Sequence, residues 1–176
     1  MRRPVDAARV RAFFRVLGSE THEAVRIYLT GGTTAVLQGW RESTIDIDLK
    51  MVPESDALFR AIAALKESLQ INVELAAPSD FIPELPGWQE RCLFIVREGK
   101  IDFFHYDPYS QALSKLQRGH AKDEEDLRQM IAGKLVEPRK ALELFEAIAP
   151  ELYRFPSIDP ESFRRRVVTA FRPAPA

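Results

Sequence analysis

Two aspartates stand two residues apart in an otherwise apolar run, Ile45-Asp46-Ile47-Asp48-Leu49, and a third, Asp102, interrupts Ile101-Asp102-Phe103-Phe104. Aspartate packs poorly in strands and competes for backbone hydrogen bonds, so its place inside β-forming segments asks for a chemical reason. Residues i and i+2 of a strand share one face, roughly 6.5–7 Å apart at Cα. Carboxylates so placed can converge on two divalent ions about 3.5–4 Å from each other. Mg²⁺, or Mn²⁺ in its place, takes oxygen ligands and shares them with substrate phosphates. If the strand of Asp102 lies beside that of the pair, Asp102 is a third ligand, or a general base for an incoming hydroxyl. The competing reading for each residue is an exposed sheet face that carries charge, because D-x-D is a short pattern. Three clustered carboxylates repel one another unless a cation is bound.

A second feature precedes the pair. Gly31-Gly32 follows the β-rich run Val25-Arg26-Ile27-Tyr28-Leu29-Thr30. Such a turn has no side chains in the way, and its backbone N–H groups at a helix start can bind phosphate. Thr33 and Thr34 add hydroxyls, and Arg41 could reach phosphate from the following loop or be a solvated loop arginine. A tight turn without a ligand explains the glycines equally well. Neither G-x-x-x-x-G-K-[ST] nor G-x-G-x-x-G occurs, so the P-loop and dinucleotide-binding readings lose their support. His22, His105 and His120 have no nucleophile nearby in sequence, and His105 reads as a packed strand residue. Trp40, Phe81 and Trp88 could stack a base but are more often anchors of core or loop. Cys92 reads as a buried, inert strand residue.

These residues need a scaffold. Pro4–Leu17 is expected to be a helix, with Val10, Phe13, Phe14 and Leu17 on one face, Pro4 in its first turn and Gly18 at its stop. Val25–Thr30 is a strand, and a short helix capped by Thr33 or Thr34 runs to about Gly39. In Ile45–Val52 the apolar residues alternate with Asp46, Asp48 and Lys50. A helix over Glu54–Leu69, a short strand Ile71–Leu75 and a proline-rich loop Pro78–Trp88 follow. Arg91–Val96 and Lys100–Tyr106 form a hairpin about Arg97-Glu98-Gly99. Four helices then occupy about Pro108–Gln117, Lys122–Leu135, Arg139–Ile148 and Pro160–Phe171, ahead of a frayed Pro-Ala tail. The order predicts an α+β fold: a mixed sheet flanked by helices over residues 1–107, and a C-terminal helical bundle over 108–176.

Composition narrows the class. With 176 residues, 45% hydrophobic and 29% charged, the chain is an ordinary globular one, large enough to build a core without disulfides. A single cysteine excludes an internal disulfide, and no Cys/His cluster has zinc spacing. The N-terminus lacks the apolar core of a signal peptide, and no apolar run spans a membrane, so a cytoplasmic protein is expected. Net charge is −1, so the chain as a whole is no polycation. Arginines nevertheless crowd both ends: Arg2, Arg3, Arg9, Arg11 and Arg15 at one, Arg164, Arg165, Arg166 and Arg172 at the other. Each cluster is either a local phosphate contact or a solvated helix face.

Strand, Gly-Gly, short helix and D-x-D in this order resemble the DNA polymerase β-type nucleotidyltransferase superfamily, carried here by Leu29-Thr30-Gly31-Gly32 and Asp46-Ile47-Asp48. Tyr28 to Ala35 with Arg41, Ser43, Thr44 and Asp46 further resembles the minimal bacterial nucleotidyltransferases of the AbiEii-type toxin group. So does Ser114-Lys115-Leu116-Gln117-Arg118 with Lys122-Asp123 and Asp126-Leu127. The resemblance implies a nucleotidyltransferase-like fold and a reaction moving NMP from an NTP to a hydroxyl of RNA or protein. Its implied catalytic and metal residues are Asp46, Asp48 and Asp102. Gly31, Gly32, Thr33, Arg41, Lys115 and Arg118 are its implied nucleotide contacts, with Lys122, Asp123 and Asp126 as further candidates. A place in a toxin–antitoxin pair follows from the same resemblance. The alternative is a non-catalytic nucleotide- or partner-binding module, such as an antitoxin-like regulator.

Overall fold

The computed structural model describes residues 2–173; the last three residues of the expected Pro-Ala tail lie outside the described residues. The chain forms two compact units, Met1–Ala77 with Cys92–Tyr106 and Pro78–Arg91 with Asp107–Ala176. The proline-rich segment 78–91 therefore groups with the C-terminal helices.

The first unit contains α1 (Ala7–Glu20), β1 (Val25–Thr30), α2 (Gly31–Gln38), β2 (Asp46–Val52), α3 (Asp56–Ser68), β3 (Asn72–Leu75), β4 (Leu93–Glu98) and β5 (Ile101–His105). The fold is α+β, as expected. The strands make one mixed sheet in the order β3-β2-β1-β5-β4. The pairs β1–β2 and β4–β5 are antiparallel; β1–β5 and β2–β3 are parallel. Alternation decides the faces. Ile27, Leu29, Ile47, Leu49, Met51, Val73, Ile101 and Phe103 form the core with Val10, Phe13, Phe14 and Leu17 of α1 and Leu58, Ile62 and Leu65 of α3. Phe14 stacks on Phe103, with ring centroids 4.1 Å apart. The opposite face of the sheet carries the aspartates.

Helix ends shift from the sequence reading for local reasons. Pro4 lies outside α1, because Asp6 is the N-cap and accepts the Arg9 amide at 2.9 Å. Gly18 does not stop the helix but lies within it: a Cβ there would meet the Glu98 backbone at 2.6 Å, so glycine admits the β4–β5 turn. Neither Thr33 nor Thr34 caps α2, which starts at Gly31 after Thr30; no side chain caps it. Thr34 instead donates to the Leu29 carbonyl at 3.2 Å.

The second unit contains α4 (Pro108–Arg118), α5 (Ala121–Ala132), α6 (Pro138–Ile148) and α7 (Pro160–Phe171). Asp107 starts α4 as a wholly buried cap. It accepts the amides of Tyr109 and Ser110, the Ser110 hydroxyl, and a two-pronged bond from Arg91 at 3.1 and 2.8 Å. A buried carboxylate needs such full pairing. Phe145 and Phe163 meet edge to face at 5.0 Å between α6 and α7. Trp88 is buried as a loop anchor, whereas Cys92 is half-buried just ahead of β4 rather than a buried strand residue.

Candidate active site

β1 ends at Thr30, and the antiparallel register puts Asp48 of β2 directly opposite it. The chain then turns into α2 through Gly31, whose φ of +62° is left-handed. A Cβ built on Gly31 would lie 2.8 Å from a carboxylate oxygen of Asp48. Glycine is thus required twice here, for the backbone angle and for the space Asp48 occupies. The N-terminal turn of α2, with its positive dipole end, begins beside the Asp48 carboxylate, a favourable setting for anionic groups. At Gly32 an added Cβ would overlap the Thr44 hydroxyl and come within 3.4 Å of the Arg41 guanidinium. Arg41 is therefore folded against the glycine turn.

Asp46 occupies the same face two residues earlier and is held from β3. Asn72 donates from Nδ2 to Asp46 Oδ1 at 2.5 Å, while Asn72 Oδ1 accepts from Arg2 at 2.8 Å. Arg2 thereby orients the amide that orients the carboxylate. Thr33, fully buried, directs its hydroxyl to the Asp46 carbonyl at 3.4 Å, and Thr44 does the same at 3.1 Å. Both threonines latch the start of β2; the Thr33 hydroxyl is turned to backbone, not outward to a phosphate.

The parallel β2–β3 register brings in a carboxylate that the sequence reading missed. Glu74 stands opposite Asp48, and Asn72 stands opposite Asp46. Cross-strand partners share a face, so Asp46, Asp48 and the exposed Glu74 form one acidic patch beside the glycine turn. The alternation of Asn72 and Glu74 in a short strand was visible in the sequence, but the pairing of that strand with β2 was not.

Asp102 does not join this patch. It shares the face, but it lies opposite Arg26 of β1, four residues from Thr30 and hence from Asp48. That is roughly 13 Å along the strand, at about 3.3 Å per residue. Its carboxylate is committed to Arg97, at 2.6 and 2.8 Å, and this pairing holds its pKa below the usual value. The expectation that Asp102 completes the metal site is therefore corrected: the strand order inserts β1 between β5 and β2, and the register slides Asp102 to the other end.

Of the C-terminal candidates, Lys115 is 5% exposed and bonds Asp123 at 3.1 Å and Asp126 at 2.8 Å. Arg118 reaches Asp123 at 3.3 Å and lies over the Phe81 ring at 5.5 Å. These residues form an ion-pair cluster in the second unit, and Lys122 is exposed. The terminal arginines are partly consumed internally. Arg9 donates to the carbonyls of Pro4 and Leu69, Arg164 pairs with Glu146, and Arg166 binds the Leu116 and Gln117 carbonyls at the end of α4. His105 is buried, as expected, beside the Thr34 hydroxyl at 3.1 Å. Burial, helped by the positive charge of Arg11, lowers its pKa to about 4.

Oxygen donors from adjacent strands, an anion-favouring helix start and a turn closed to any Cβ suit a hard divalent cation and a polyphosphate. Among the described residues no group of three or more His, Cys, Asp or Glu side chains is placed so that it could hold a metal ion. Within the acidic patch Asp46 and Asp48 are half-buried and Glu74 is exposed. A family model described as "nucleotidyltransferase of unknown function (DUF6036)" matches residues 9–168. The chain belongs to this nucleotidyltransferase family. Membership supports a nucleotidyltransferase, and so an enzyme over a non-catalytic module, without reaching the AbiEii-type toxin group. No curated protein and no solved structure matches the chain. Among the described residues no helix of this transferase is long and apolar enough to cross a membrane.

Proposed function

We propose that the transferase moves a nucleoside monophosphate from an NTP to a hydroxyl of RNA or protein, using Asp46, Asp48 and Glu74 as the acidic patch that holds Mg²⁺. The observation that carries this reading is the contact of the Asp48 carboxylate with Gly31 at the start of α2. It sets the acid proposed for the metal beside the turn proposed for the phosphates.

Bound there, the divalent ion supplies positive charge that neutralises the triphosphate. The residues of this chain do the positioning. Asp46 is fixed by Asn72 and Arg2, and Asp48 by its seat against Gly31. The α2 amides and Arg41 face the phosphates, a task suited to the planar donor fork of arginine. The acceptor oxygen bonds to the α-phosphorus, the bond to the β-phosphate oxygen breaks, pyrophosphate leaves, and the hydroxyl proton passes to solvent. Catalysis of this kind is mainly placement and charge stabilisation, which a rigid strand-and-turn site provides.

The test is transfer of label from α-labelled NTPs to total RNA or lysate protein in the presence of Mg²⁺. Wild type transfers label, and Asp46→Ala with Asp48→Ala abolishes the transfer while the fold persists. Transfer that survives the double substitution refutes the assignment. A role as the toxin of a toxin–antitoxin pair adds one expectation: expression arrests growth, and the same double variant relieves the arrest.

A further inference from the structure

We propose that the β5–β4 edge of this sheet face, where Phe104 and Phe94 reach the surface, is a stacking platform for the single-stranded end of a nucleic-acid acceptor. The inference rests on the transferase reading above and names its acceptor class. Register arranges this face in cross-strand rows. Glu74, Asp48 and Thr30 make the acidic row. Two residues away, Lys50, Tyr28, Phe104 and Phe94 make an aromatic row across β2, β1, β5 and β4. Two residues further, Arg26, Asp102 and Arg97 make a row with net positive charge.

Tyr28 is buried, at 1% exposed, so the accessible part of the aromatic row is Phe104, half-buried, and Phe94. Tyr28 and Phe104 stack with centroids 5.5 Å apart, Phe94 meets Phe104 at 5.6 Å, and Arg26 lies over the Phe104 ring at 5.9 Å. Phe94 is 60% exposed, which is unusual for a large aromatic on a sheet whose other face is a closed core. Two adjoining aromatics at a sheet edge, bordered by Arg26, suit unpaired bases and their phosphates, since every base has a stackable face. At about 4.8 Å per strand and 3.3 Å per residue, Phe104 and Phe94 lie roughly 12–16 Å from Asp48. Stacked bases would therefore belong to nucleotides behind the reacting end, leaving the terminal hydroxyl for the acidic row.

The other occupant to weigh is a second copy of this chain joined through the edge strand β4. Its register shifts between Phe94 and Val96. Such a bulge twists an edge away from strand addition.

The experiment is fluorescence anisotropy of a 5′-labelled, mixed-sequence single-stranded RNA without NTP, paired with sedimentation of the protein alone. Wild type binds, and added salt weakens the binding. Phe94→Ala weakens it roughly 5- to 150-fold, Phe94→Trp retains it, and Arg26→Ala lowers the salt slope by about one. Absence of RNA binding overturns the proposal, as does binding indifferent to Phe94→Ala. A dimer that Phe94→Ala splits, without RNA binding, assigns the surface to a second copy and also overturns it. Asp46→Ala with Asp48→Ala separates the two readings. Label transfer lost in that variant but RNA binding independent of Phe94 removes only the platform. Transfer retained in that variant with binding dependent on Phe94 removes only the catalytic assignment.

Discussion

Replacing Gly31 with alanine perturbs the site at its narrowest point. The residue holds a φ of +62°, a conformation that costs an ordinary L-residue about 1–2 kcal/mol. The new Cβ would also stand 2.8 Å from the Asp48 oxygen, where ordinary contact begins at 3.4 Å. The carboxylate must withdraw by about 0.6 Å or leave its rotamer, which adds on the order of 1 kcal/mol. Gly39 provides the control: it is also left-handed, with φ +89°, but nothing lies within 4 Å of its added Cβ. Gly39→Ala carries only the conformational cost. For a chain of this size each kcal/mol lowers Tm by about 2–4 °C. Gly39→Ala should therefore lower it by about 2–8 °C, and Gly31→Ala by about 4–12 °C. The activity readout separates them further. Displacing the carboxylate proposed to hold the metal by this amount should reduce label transfer on the order of tenfold to a hundredfold, whereas Gly39→Ala transfers at the wild-type rate below its melting range. If Gly31→Ala melts like Gly39→Ala and keeps full transfer, the seat of Asp48 against the turn is not part of the chemistry.

Three further outcomes follow from the same geometry. Glu74→Gln should raise the Mg²⁺ concentration needed for transfer by about 10- to 100-fold, while Asp102→Asn leaves that requirement unchanged; the opposite pattern in a metal titration would restore Asp102 to the site. Lys115→Met removes the cation between buried Asp123 and Asp126, so a loss of about 3–5 kcal/mol is expected. A melt within 2 °C of wild type, about 1 kcal/mol or less, would contradict it. His105 titrates near pH 4 when folded and near its ordinary 6.5 when unfolded. The unfolded chain therefore binds the extra proton first: stability is full above about 6.5, and about 3 kcal/mol is lost as pH falls toward 4. His105→Gln should flatten that part of the stability–pH curve, and an unchanged slope in denaturant melts would show that another group controls it.

Much of the first unit was legible because its signals are local. Alternation in Ile45–Val52 assigned Asp46 and Asp48 to one face and the core residues to the other, and β2 has that pattern. The hairpin around Gly99 and the four C-terminal helices follow from turn residues and periodic apolar faces in the same way. Capping was less legible. Pro4 and Gly18 bear helix start and stop chemistry, yet Asp6 caps α1 and Gly18 serves a close approach to Glu98. A cap competes with its neighbours, and a packing glycine looks like a stop glycine until the partner is known.

From sequence alone came the order of elements, the pairing of a glycine turn with D-x-D, and the family pattern, because each depends on residues within a few positions of one another. Strand order came only with the tertiary structure. Asp102 and Glu74 are both acids in short strands, and nothing near either one says which strand it will pair with. Long-range pairing places β3 against β2 and puts β1 between β2 and β5. Hydrogen bonding between strands far apart in sequence thus set Glu74 opposite Asp48 and left Asp102 with Arg97.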